Sequence, residues 1–126
     1  MMEEKMIKNF KKNQDNIQTE TEFEFTLFLG DYRGYLYQWN GGVGMIGDNS
    51  FLNLWKLKEI VELNKEYEVN EYLTNVILIG SDGADTAYGI NAQGKYIEVP
   101  FIGMDDAEVE IIADSFEKFI QYLYLK

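Results

Sequence analysis

The clearest hydrophobic period in the chain is Phe116, Phe119, Ile120 and Leu123, spaced i, i+3, i+4, i+7 along one helix face. Asp114-Ser115-Phe116-Glu117 precedes it in the form of a capping box, so a helix is predicted to start there. The same spacing occurs at Tyr32, Tyr35, Leu36 and Trp39. Asp31 is its predicted N-cap, and Asn40-Gly41-Gly42 its stop, because Asn and Gly tolerate the left-handed backbone of a helix C-terminus. Residues 56–67 predict a third helix from Leu57, Ile60, Val61 and Asn64. Residues 3–13 predict a short one, with Met6, Ile7 and Phe10 on one side.

Between the helices the period changes. Residues 23–29, FEFTLFL, alternate as a half-buried strand does. Residues 50–55 have strand character, and NVILIG at 75–80 reads as a buried strand. Residues 85–91 and 95–101 follow as further strands, joined by the turns SDG and AQG. Pro100 falls near a strand end, where a missing N–H matters least. Hairpin turns make this part of the sheet antiparallel, and the order of elements is that of an α+β domain.

Gly42-Val43-Gly44-Met45-Ile46-Gly47 has the G-x-G-x-x-G spacing of a dinucleotide loop. That loop requires a strand before the glycines and a helix after them, so that a helix N-terminus faces the phosphates. Here a helix precedes and a strand follows, and no Lys-Ser/Thr pair is present. The nucleotide reading is rejected. The glycines are expected to stop a helix at Gly41-Gly42 and to start a strand after Gly44 and Gly47.

A length of 126 residues points to one domain, with 46% hydrophobic residues to fill its core. The chain has no Cys and no His, which excludes disulfides, thiolate sites and imidazole chemistry. No cofactor or metal is expected, and catalysis is not. The polar start, MMEEKMIKNFKKNQDN, does not read as a signal peptide, and the longest apolar run, residues 76–79, is too short for a bilayer. The expected location is the cytoplasm.

Charge narrows the partners further. Eleven basic and twenty-two acidic residues give a net charge of −11. From Glu98 to Glu117 there are seven acids and no base. Such a field repels nucleic acid and anionic membranes and attracts basic proteins, although acidity also serves simple solubility.

Several residues have both a chemical and a structural reading. Asp82, Gly83 and Asp85 suggest calcium, but their spacing lacks the alternating ligands and terminal Glu of an EF-hand, so hairpin chemistry is the better account. Asp105, Asp106, Glu108 and Glu110 form the densest acidic run, expected as a solvated loop. A catalytic carboxylate pair would need a desolvated cleft. As a contact patch for a basic protein, the run with Asp82 and Asp85 fits. Trp39, Asn40 and Gly41 are read as core and cap rather than as a partner site, and Trp55 as core. Tyr88 and Tyr96 are candidate anchors if exposed.

Five segments, YLYQWNGGVG, LWKLKEI, IGSDGADTAYGIN, YIEVPF and ADSFEKFI, taken in this order and at these distances, resemble the SUKH superfamily of Smi/Knr type. The motif positions are Trp39, Asn40, Gly41, Gly42, Gly80, Asp82, Gly83, Asp114, Ser115 and Phe116. The resemblance runs from about Leu29 to Leu123 within a single domain over 1–126. Residues 1–21, the N-terminal helix and its connection, match poorly, and Leu29-Gly30-Asp31 stands where many members have Leu-Pro. The resemblance implies a mixed, mainly antiparallel sheet flanked by helices. It also implies a non-catalytic immunity protein that neutralises a bacterial toxin, often a nuclease, by stoichiometric binding; the oligomeric state, monomer or weak dimer, is left open by the sequence. The alternative is a regulatory scaffold module akin to the fungal cell-wall regulators. The partner surface varies among members, so the resemblance names no toxin.

Overall fold

The computed structural model describes residues 4–14 and 29–126. The strand expected over 23–29 lies outside them except for Leu29, which is buried. The elements run α1 (Glu4–Ile7), β1 (Asn9–Lys12), α2 (Tyr32–Trp39), β2 (Gly42–Ile46), β3 (Ser50–Leu54), α3 (Leu57–Glu66), α4 (Val69–Tyr72), β4 (Val76–Ser81), β5 (Thr86–Asn91), β6 (Tyr96–Pro100), a 3-10 turn (Asp106–Glu108), β7 (Glu110–Ala113) and α5 (Phe116–Tyr124). The class is α+β, as the periodicity implied.

The seven strands form one sheet in sequence order, β1 to β7. The expected mixed sheet is corrected: among the described residues every pairing is antiparallel. Each strand turns back on its predecessor, and even the helical connection through α3 and α4 returns the chain beside β3. All six residues of β4 are buried, which requires cover on both faces. Helices α2 and α5 supply one face through a group of rings. Phe116 lies 5.4 Å from Tyr32 and 4.9 Å from Tyr35, and Phe119 lies 5.1 Å from Tyr96 and 5.3 Å from Tyr88. Helices α3 and α4 pack on β4.

The N-terminal prediction is also corrected. Among the described residues of that segment only 4–7 are helical, and Phe10 belongs to a strand paired with β2. The cause is long-range. A Cβ on Gly42 would meet the Phe10 ring and the Lys11 carbonyl, and one on Gly44 would overlap the Asn9 carbonyl oxygen. These glycines therefore sit inside a strand rather than in the expected turn, and their bare backbone lets β1 approach closely. The tertiary pairing overrides a weak local helix preference.

Asn64 ties the two layers together. Its Nδ2 donates to the carbonyls of Ile60 and Leu78, each at 2.8 Å, and its Oδ1 accepts from the Leu78 N–H at 2.9 Å. It is buried, so no bulk water can replace it. Leu78 lies beside the register shift between Leu78 and Gly80, where its backbone groups take a side-chain partner. Asn64→Leu keeps much of the shape and strands the Leu78 N–H and C=O. The expected outcome in urea denaturation is a loss of about 2–3 kcal/mol; a loss below about 1 kcal/mol would mean that the bridge is dispensable.

Candidate functional site

The Trp39-Asn40-Gly41-Gly42 segment is a structural junction. Asn40 ends α2 in the left-handed region (φ 57°, ψ 47°), its N–H donating to the Leu36 carbonyl at 2.8 Å. Its Oδ1 accepts from the Leu57 N–H at 2.7 Å, at the start of α3, and its carbonyl accepts from Asn13 Nδ2 at 2.8 Å. The second exposed N–H of that helix start, on Lys56, donates to Glu59 Oε1 at 2.9 Å. Gly41 has φ +95°, and a Cβ there would overlap the Leu54 carbonyl oxygen. Trp39 is only half-buried, with the Lys12 ammonium 4.5 Å above its ring, whereas Trp55 is buried in the core.

Two predicted caps change places. Asp31 makes no side-chain cap on α2. Its carboxylate instead accepts from the Phe116 N–H at 2.9 Å and from the Tyr96 hydroxyl at 2.7 Å. It thus caps α5 from across the fold. The capping box also shifts by one residue. Ser115 Oγ accepts from the Lys118 N–H at 3.2 Å, while Asp114 pairs with Lys118 at 3.4 Å. Tyr96 is completely buried and Tyr88 is 3% exposed, which excludes both as surface anchors. Burial pushes the Tyr96 hydroxyl far above the ordinary tyrosine range, and the Asp31 carboxylate adds to this.

In the β4–β5 turn, Asp82 Oδ1 accepts from the N–H groups of Ala84 (2.8 Å) and Thr86 (3.1 Å), and Ser81 Oγ accepts from the Gly83 N–H. Gly83 faces the Phe51 ring, and Gly80 lies against the Asn53 carbonyl. Asp85 is exposed, and its carbonyl accepts from the Phe101 N–H at 2.9 Å. Among the described residues no group of three or more acids is placed to hold a metal ion.

The acidic run is not one patch, and its expected loop contains a 3-10 turn and strand β7. Asp105 Oδ1 accepts from the Ala107 N–H and starts the turn. Asp106 faces a groove with Thr74, Asn75 and Asn91. Its two oxygens accept from the Thr74 N–H (2.8 Å) and hydroxyl (2.7 Å). Glu108 and Glu110 face a different groove, of about 200 Å3, with Thr86 and Glu98. Glu98 and Glu110 sit directly opposite each other on adjacent strands. Like charges in that register repel. Glu98 accepts from the Tyr122 hydroxyl at 3.2 Å and has Lys126 at 3.9 Å, but no Lys or Arg lines the groove. The negative charges of Asp82 and Glu98 also reach Tyr88, whose hydroxyl is pushed up first by burial and then by these two acids. Glu98 was not singled out from the sequence. The signal was a lone charge between Ile97 and Val99 in an otherwise apolar strand.

The SMI1 / KNR4 family (SUKH-1) matches residues 15–122. The chain belongs to that family. The match begins before Leu29, so the family pattern reaches into the segment that resembled it poorly. No curated protein matches the chain. Within this SUKH-1 chain, the motif residues Asn40, Gly41, Ser115 and Phe116 serve helix junctions, while Glu98, Glu108 and Glu110 are left facing a groove.

Two outcomes follow from these contacts. Asn40→Ala removes both the residue type suited to φ +57° and the acceptor for Leu57, and is expected to cost about 1–3 kcal/mol by thermal or urea unfolding. Unchanged stability would show that the junction holds without it. The Thr74 hydroxyl, then its N–H, lower the pKa of Asp106. The ionised form is therefore favoured in the fold. This tether is present above the ordinary Asp value and is lost as pH falls through the lowered one. In Thr74→Val the Asp106 titration followed by NMR is expected to move up toward the ordinary value.

Proposed function

We propose that this protein is a non-catalytic immunity protein that neutralises a basic, nuclease-type toxin by stoichiometric binding. The observation that carries the reading is the groove of Glu98, Glu108 and Glu110. Three carboxylates face one space, two of them in direct cross-strand opposition, on a chain of net charge −11 in the SUKH-1 family. Repulsion of this kind costs stability in the free protein and is relieved when a cationic surface covers it. A nuclease binds phosphates with a positive groove, and an acidic ridge docked there would block substrate and speed association.

Asp82 and Asp105 act mainly through their turns in this reading, and Asp106 through Thr74. Asp85, Glu108 and Glu110 contribute charge, with Glu98, partly offset by Lys126, added. The protein works by occupying a partner, so nothing in it has to turn over. The cytoplasm is where a nuclease would have to be met. No helix among the described residues is long and apolar enough to cross a membrane.

The test is co-expression with a candidate nuclease toxin domain, sought first among the genes adjoining this one. Growth is expected to be rescued by the wild-type chain, and the purified pair to bind one to one. The Glu98→Gln, Glu108→Gln, Glu110→Gln triple variant is expected to bind about tenfold more weakly at low salt, and to lose less at high salt. Affinity indifferent to ionic strength would end the acidic-ridge mechanism. Failure of the wild type to rescue, with a stress or envelope defect on deletion, would favour a cellular regulatory role.

A further inference from the structure

A second surface is apolar. Ile102 is 88% exposed, Tyr72 52% and Tyr67 43%. Singly exposed apolar residues are ordinary, but these are contiguous. Tyr67, Tyr72, Phe101, Ile102 and Met104 line one groove of about 290 Å3. Tyr67, Phe101 and Ile102 also line an adjoining groove of about 570 Å3 that reaches Trp55 and Asp85. The floor is rigid. Tyr67 and Phe101 rings lie 5.0 Å apart, and the Phe101 N–H is fixed by the Asp85 carbonyl. Ile102 stands at the rim beside Gly103 (φ +76°) in the turn after β6.

The surroundings select the occupant. Glu66 and Glu68 flank Tyr67, Glu71 precedes Tyr72, and Asp105 follows Met104. Asp85 is the one charged residue lining either groove, and no Lys or Arg lines them; Lys65 is the nearest base in sequence. A second copy of this chain would bring acid against acid, and an anionic membrane would be repelled. A cationic protein surface has the complementary charge.

We propose that the Tyr67–Tyr72–Phe101–Ile102 groove receives an apolar side chain of a cationic protein partner, with Lys or Arg of that partner meeting the acids around it. The identity of the partner as a toxin rests on the immunity reading; the surface itself does not. Aromatic residues in a preformed groove have the character of an interface centre, and the acids supply steering and register.

Two measurements separate the surface from the partner. The first uses a short peptide alternating Lys and Leu, titrated into the full chain and followed by amide NMR shifts. Shifts centred on Tyr67, Tyr72, Phe101 and Ile102 are expected, abolished in Ile102→Asp and absent with the Glu-Leu counterpart. No shift, or shifts centred on Glu98 and Glu110 alone, would overturn the proposal. The second uses the candidate toxin domain of the co-expression test. Ile102→Asp is expected to weaken binding at least tenfold, and Ile111→Asp, an exposed apolar change on β7, to leave it within twofold. Equal binding by wild type and Ile102→Asp would overturn the surface. A toxin domain that binds neither, together with the peptide mapped to the groove, would overturn only the immunity reading. Ile102 is nearly fully exposed, so its substitution leaves the core intact; matching thermal melts would verify this.

Discussion

The constraint on which the helix junction depends is the space between Gly41 and the end of β3. No side chain fits there, because the Leu54 and Trp55 carbonyls occupy it. That closeness lets Asn40 reach three elements at once. It ends α2 with its backbone, starts α3 with its side-chain oxygen, and holds the chain after β1 through Asn13. A larger residue at either position would move the helices apart and leave three sets of backbone groups without partners. The junction is therefore a distance requirement first and a hydrogen-bond requirement second.

Around this junction polar side chains act as long-range connectors. Asn64 joins α3 to β4, Ser50 donates to the Leu123 carbonyl at 2.6 Å, and Asp31 joins α2, α5 and β6. The sheet itself pairs only neighbours in sequence. The side-chain connectors supply contacts that a meander lacks, and they fix where the helices lie on it. The buried Tyr32 hydroxyl has no hydrogen-bond partner among the described residues, and its burial raises its pKa well above the ordinary range. Its ring is held instead by packing against Tyr35 and Phe116.

Local rules made much of this legible. Helices α2, α3 and α5 announce themselves by period, and strands β4 to β6 by apolar runs between Asp-Gly and Gln-Gly turns. Elements β1, β2 and β7 were not visible as strands, for physical reasons. Strand β2 is rich in glycine, which carries no pattern, and it exists because β1 and β3 clamp it. Strand β7 is four residues at an edge, with Ile111 63% exposed and thus no alternation to read. Short α4 is set by its packing. Capping was misassigned because Asp31 and Asp114 each look like local caps, and only the fold reveals that Asp31 is closer to Phe116 N–H. The acids were legible as a run, but sequence adjacency placed Asp106 with Glu108. The turn sends them to different grooves. Ile102 sits in a turn and Tyr72 ends a four-residue helix, and neither setting carries a periodic signal.

Strand β7 has one strand neighbour among the described residues, so one side of its backbone ladder has no strand partner. An edge of this kind invites stacking with other chains, and charge is a common guard. Glu110 begins that strand and repels any similar edge that approaches. If the proposed binding mode holds, the acids facing the groove answer to two demands, recognition and resistance to aggregation. Residues under both demands are poor material for rapid change of partner, because trading away the charge exposes Ile111 on an unguarded ladder. Diversification is freer at positions such as Ile102, where no strand edge depends on the side chain.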